Sequence, residues 1–147
     1  MQLINKAIPP GKFEVFCHIG DDGSLTSVNI GALKGWLASR GKPFLQKLLL
    51  DETGYNYMIE NRGIEPQNLG YITTKMLKDP LIFLIEKQYQ MIADGSHRYC
   101  VAYLLGKKKL PAYFVPEDIW KLFRIAMTEQ EARNIVNSPS GRIYNNP

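Results

Sequence analysis

Hydrophobic and polar positions follow two periods along this chain, and the switch between them divides it into strands and helices. Phe13 to Ile19 (FEVFCHI) is rich in aromatic and β-branched residues and predicts a strand. Asp21-Asp22-Gly23-Ser24 predicts a turn, and Leu25 to Ile30 the return strand. Leu33, Trp36 and Leu37 recur at helical spacing within Ala32 to Ser39, with Gly41 as the stop. Pro43 is placed to open a further helix from Phe44 to Glu52, on a stripe of Leu45, Leu48 and Leu49. Gly54 to Gly63 has no clear period and reads as irregular, a seam between two parts of the chain.

The second half is more regular. Pro66 to Lys78 predicts a helix with Leu69, Ile72, Met76 and Leu77 apolar, stopped at Asp79-Pro80. Leu81 to Ile85 and Tyr89 to Ala93 predict a β-hairpin across Glu86-Lys87-Gln88. Ser96 to Leu105 predicts a buried helix ended by Gly106, and Leu110 to Val115 a third strand. A short helix follows from Pro116 or Glu117 to Phe123. Thr128 to Val136 predicts a last helix, where Thr128 and Glu131 have capping-box spacing. Asn137 to Pro147 is turn-rich and predicts a mobile tail. The fold class expected is α+β, a single domain with a small mixed sheet and surrounding helices. Residues 1–53 would form an extension packed on a core of 54–127, and 128–147 would form a final helix and tail.

Composition narrows the class without choosing a function. The chain has 147 residues, with 45% hydrophobic and 22% charged, which excludes wholesale disorder and fibrous folds. No apolar run approaches the ~20 residues of a membrane helix, and Met1 to Gly11 shows no sustained apolar segment of a secretory signal. A cytoplasmic, membrane-free protein is expected. Eighteen basic residues against fourteen acidic ones leave a net charge of +4, which permits anionic partners but selects none. The two cysteines, Cys17 and Cys100, are too few for a disulfide scaffold or a cysteine-only zinc site. Cys17 and His18 are neighbours on a strand and point to opposite faces, so they do not ligate together. No protein-held metal is expected.

The chemistry concentrates in Asp94-Gly95-Ser96-His97-Arg98, between a strand and a helix. A helix start exposes unpaired N–H groups and the positive end of the macrodipole. Gly95 lets the chain turn and a ligand approach the backbone, Ser96 adds a hydroxyl, and His97 and Arg98 add donors. That set suits a phosphate. The plainer alternative stands beside it: Asp94 or Ser96 caps the helix, Arg98 pairs with a carboxylate, and His97 is solvated. Asp94, Ser96 and His97 are too close together on one helix start to converge as a hydrolytic triad.

Tyr89 to Val115 (YQMIADGSHRYCVAYLLGKKKLPAYFV) resembles the core of the ParB/sulfiredoxin superfamily. The landmarks are Gly95, His97, Arg98, Ala102, Gly106 and Leu110-Pro111, and the likeness extends over roughly 58–124 through Ile64 to Leu77 and Pro80-Leu81-Ile82. The resemblance implies a nucleotide phosphate seated on Gly95, Ser96, His97 and Arg98. It implies ATP or CTP as the cofactor, with magnesium brought by the nucleotide, and Thr73, Thr74 and Lys75 on the preceding helix as further phosphate contacts. NTPase, phosphotransferase and nuclease activities all occur within that class. Arg98 and His97 would act on the phosphate, and Asp94, Glu60 or Glu65 would supply the carboxylate that base or metal chemistry requires.

Departures from the family matter as much. Ser96 stands where sulfiredoxin has its cysteine, and a hydroxyl cannot replace a thiolate in sulfinic-acid repair. Partition proteins carry Glu and Arg where Ser96 and His97 stand, and the stretch after Arg124 is too short for their helix-turn-helix domain. The alternative function is a non-catalytic module binding DNA or protein, in which Lys107-Lys108-Lys109 touches phosphates and the scattered tyrosines stack bases. The same lysines read equally as a solvated helix exit, and the tyrosines as core and rim residues.

Overall fold

The structure, a computed structural model, describes residues 11–87, 89–136 and 143–146, of which 11–13 and 143–146 are described by backbone alone. In chain order the elements are β1 (Gly11–Glu14), β2 (Phe16–Ile19), β3 (Leu25–Val28), α1 (Ile30–Arg40), β4 (Leu45–Leu49), α2 (Glu52–Arg62), β5 (Leu81–Glu86), β6 (Tyr89–Asp94), α3 (Ser96–Leu104), β7 (Lys109–Val115), α4 (Glu117–Trp120), α5 (Glu129–Val136) and β8 (Ile143–Asn146). The class is α+β, as the patterning predicts. The elements fall into two compact units, Gly41–Val115 and the described parts of Met1–Arg40 with Pro116–Pro147.

Gly41–Val115 is built on a mixed four-stranded sheet in the order β4-β7-β5-β6. β5 and β6 form the expected antiparallel hairpin, and β7 lies parallel to β5, with Phe83 opposite Phe114 and their rings stacked at 5.2 Å. A parallel pair needs a crossover, and α3 supplies it between β6 and β7. The residues of one sheet face alternate strictly, as a strand requires. Leu81, Phe83 and Ile85 of β5, Ile92 of β6, and Leu110, Ala112 and Phe114 of β7 join Met58 of α2 and Tyr99, Cys100 and Ala102 of α3 in one core. Tyr55 of α2 stacks on Tyr103 of α3 at 4.8 Å.

Three expected elements differ here. Within the segment 44–52, Leu45–Leu49 form β4, not a helix. Its leucines satisfy both periods, and antiparallel pairing with β7 (Leu48 opposite Leu110) decides for the strand. The irregular reading of 54–63 is overturned by α2, which Asp51 caps through Gly54 N–H at 2.7 Å and Gly63 ends. Tyr55, Met58 and Ile59 give that helix its buried stripe. The helix expected over 66–78 is instead two single 3₁₀ turns, Pro66–Asn68 and Met76–Lys78, joined by loop. Leu69, Ile72 and Leu77 nonetheless reach the core. The apolar spacing had the right residues inside with the wrong backbone.

α3 is buried on one face only, with Leu104 and Leu105 55% and 58% exposed, so the expected all-round burial does not hold, but Gly106 stops the helix as predicted. Gly106 N–H bonds to Tyr103 O and Lys107 N–H to Ala102 O, both at 3.0 Å, which is the Schellman pattern.

In the other unit, β2 and β3 pair as the predicted hairpin, Phe16 opposite Val28, and β1 pairs with β8. Asn29 caps α1 through Ala32 N–H. Ile125 N–H bonds to Ser27 O and Asn29 N–H to Phe123 O, tying the 120s segment to β3. The capping box is present: Glu131 accepts from Thr128 N–H at 2.9 Å, and Thr128 Oγ1 accepts from Glu131 N–H at 3.1 Å. Val15, Ile125 and Ile135 form a small core with Cys17 and Met127 beside it. The expected mobile tail lies outside the described residues except for 143–146, which form β8. Among the described residues no helix is long and apolar enough to cross a membrane.

Candidate functional site

The turn at 94–98 is shaped by the strand that feeds it. Ile82 pairs with Asp94 but Phe83 pairs with Ile92, so Ala93 is an extra residue and β6 ends in a bulge. The bulge swings Asp94 to the sheet rim. Gly95 then occupies the N-cap position of α3 at φ 105°, a conformation that side chains rarely adopt. A Cβ at Gly95 would also lie 2.6 Å from Leu81 Cγ, and Leu81 is fully buried. Only glycine fits. It brings no side-chain cap to the first turn of α3, so neither Asp94 nor Ser96 is the N-cap that the plainer alternative foresaw.

Arg98 is the organising side chain. Its Nη2 donates to Asp94 Oδ2 at 2.7 Å, and its Nη1 donates to the backbone carbonyl of Asp79. The Arg98 and Asp94 side chains are only 12% and 13% exposed. The guanidinium therefore joins three segments: the end of β6, the first turn of α3, and the loop ahead of β5. That engagement takes it away from direct phosphate contact, and the positive charge answers Asp94.

His97 is exposed, with Tyr71 beside it at 6.5 Å between ring centroids and 61% exposed. Ser96 is half-buried on the first turn. The loop 71–79 thus lies against the start of α3 through both Tyr71 and Asp79. Thr73, Thr74 and Lys75 are exposed on that loop, between the two 3₁₀ turns, and not on a helix. Thr73 Oγ1 accepts from Met76 N–H at 3.4 Å. Glu60 is exposed on α2, and Glu65 accepts from the side-chain amides of Gln67 and Asn68. Among the described residues neither carboxylate bonds to the turn, and no group of three His, Cys, Asp or Glu is placed to hold a metal ion.

Behind the turn, Tyr99 Oη accepts from Asp51 N–H at 3.3 Å, and a Cβ on Gly54 would fall 1.9 Å from that oxygen. The first turns of α2 and α3 are locked together by this approach. Burial raises the Tyr99 hydroxyl pKa above its ordinary value and pushes the Cys100 thiol up to about 11. Cys100 is thus a protonated core residue and no nucleophile. Tyr71, Asp79 and Leu81 were not singled out from sequence. Asp79 acts through its backbone carbonyl, which no residue pattern reveals. Compared with protein-family models, curated proteins and solved structures, the chain matches none.

Proposed function

We propose that this chain is a nucleotide-binding protein of the ParB/sulfiredoxin type that seats a phosphate on the first turn of α3. The observation that carries the reading is the start of that helix. Gly95, in the left-handed region at the N-cap position, brings no side chain of its own to the first turn, while Ser96 and His97 flank it. The order of hairpin, glycine turn, helix and parallel strand supports the same reading.

The amides of Ser96 and His97, the Ser96 hydroxyl and the His97 ring meet the phosphate. Arg98 is a positioning residue, which holds Asp94 and the Asp79 carbonyl and so keeps the rim in shape. Thr73, Thr74 and Lys75 line the approach from the loop. The cofactor is ATP or CTP, with magnesium carried by the nucleotide.

The test is thermal unfolding with millimolar ATP–Mg, CTP–Mg and pyrophosphate–Mg. A ligand at ten times its Kd adds about 1.4 kcal/mol, a rise of a few degrees. Ser96→Asp puts a carboxylate at the anion seat, where the helix dipole welcomes it. The variant should stay as stable as the parent and lose the nucleotide shift. Absence of any shift with all three ligands, or a shift that survives Ser96→Asp, overturns the proposal.

A further inference from the structure

The positive excess of the chain gathers away from the turn, along two paired strands. Segments 42–50 and 104–115 contain Lys42, Lys47, Lys107, Lys108 and Lys109 and no Asp or Glu. All five lysines are exposed, and among the described residues none makes an ion pair. The nearest acid in sequence, Asp51, is occupied as the cap of α2.

β4 is an edge strand with β7 as its one neighbour among the described residues. Leu50 N–H bonds to Lys108 O, and the register places Leu48 opposite Leu110. In an antiparallel pair the residues that bond inward alternate with residues whose N–H and C=O face outward. Gln46, Leu48 and Leu50 are the inward set. Lys47 and Leu49 therefore turn both backbone groups to the open edge, and Leu45 its carbonyl, its N–H being bonded to Lys42 O. The side chains of Leu45, Lys47 and Leu49 share one face, and Leu45 and Leu49 are 42% and 67% exposed.

We propose that this open edge docks an extended, acidic segment of a partner polypeptide, which joins the sheet as a fifth strand. Strand addition satisfies the free backbone groups of Lys47 and Leu49, and on the face shared by Leu45, Lys47, Leu49 and Lys109 every second side chain of the partner runs apolar, acidic, apolar, which covers the leucines and sets acid against the lysines. A second copy of β4 offers these lysines no acid, since 42–50 contains no Asp or Glu. Duplex nucleic acid would meet the lysines but leave the two leucines and the strand edge uncovered. The inference is independent of the nucleotide reading.

The experiment titrates the full chain, isotope-labelled, with three synthetic peptides followed by amide NMR. One repeats valine-serine-glutamate-serine, so that valine and glutamate take turns on the face that meets Leu45, Lys47 and Leu49. One carries lysine in place of each glutamate. The third is the glutamate peptide N-methylated at every second residue, so that the amides facing β4 carry no hydrogen. Expected is binding of the first peptide with shifts centred on the Lys47 and Leu49 amides, at least tenfold weaker binding of the other two, and a tenfold loss in Lys47→Glu. No binding of the glutamate peptide, equal binding of the methylated or the lysine peptide, or tighter binding of a duplex oligonucleotide at the same edge overturns it.

Discussion

Arg98 is the residue whose replacement separates two accounts of the turn. Arg98→Met deletes the 2.7 Å bond to Asp94 and the bond to the Asp79 carbonyl while keeping the aliphatic stem. A solvated i,i+4 ion pair is worth about 0.3–0.5 kcal/mol. Charge-assisted bonds to largely buried groups are worth about 1.5–3 kcal/mol. With side chains 12% and 13% exposed, this pair belongs near the second class. Arg98→Met should therefore cost about 2–3 kcal/mol, a large part of a typical ~5–15 kcal/mol total. Asp94→Asn keeps one acceptor oxygen and should cost about 1 kcal/mol, and the double variant should reveal coupling of about 1–2 kcal/mol. Urea unfolding measures all three, provided the denaturant slope stays constant. If Arg98→Met unfolds within about 0.5 kcal/mol of the parent, the guanidinium does not hold the rim and the positioning role is refuted. Loss of nucleotide stabilisation without loss of apo stability would make it a phosphate ligand instead.

Other consequences can be read directly. Gly95→Ala forces a Cβ against Leu81 at a positive φ and should cost about 2–4 kcal/mol by the same unfolding assay. Gly54→Ala collides with Tyr99 and should cost about 1–3 kcal/mol; an unchanged midpoint would show that α2 and α3 are not locked there. Thr128→Ala removes the capping box of α5 and should cost about 1 kcal/mol. Because the Cys100 thiol is raised from 9.0 to about 11 in the fold, the unfolded chain releases its proton first as pH rises. The contribution of Cys100 to stability is intact below pH 9.0 and is lost between pH 9.0 and about 11. Cys100→Ala should flatten that part of the stability–pH curve, and native protein at neutral pH should resist alkylation at Cys100 until it unfolds.

The legible parts of this chain are those where one local signal suffices. The hairpin β5–β6, the helix α3 with its Gly106 stop, the strand β7 and the capping box of α5 are all written in spacing and turn residues. The turn 94–98 was legible for the same reason, because a glycine between strand and helix stands out. The segments misread are those where local signals conflict. The leucines of 45–49 satisfy a helical stripe and a strand pair equally well. Gly70 with Thr73 and Thr74 breaks the helix that the apolar spacing of 66–78 suggests, yet the spacing still chose the buried residues.

The sequence by itself determined where the chain turns and which residues of β5, β7 and 66–78 go inside, but not the fate of Leu45, Leu49, Leu104 and Leu105, which stay exposed. Tertiary structure alone decided that 45–49 is a strand, because its ladder needs β7, whose Lys109 pairs with Leu49 across sixty residues of chain. It also decided what Arg98 does. A guanidinium at the start of a helix can face a ligand or the protein, and only the bulge at Ala93 and the return of Asp79 to the rim supply the carboxylate and carbonyl that hold it.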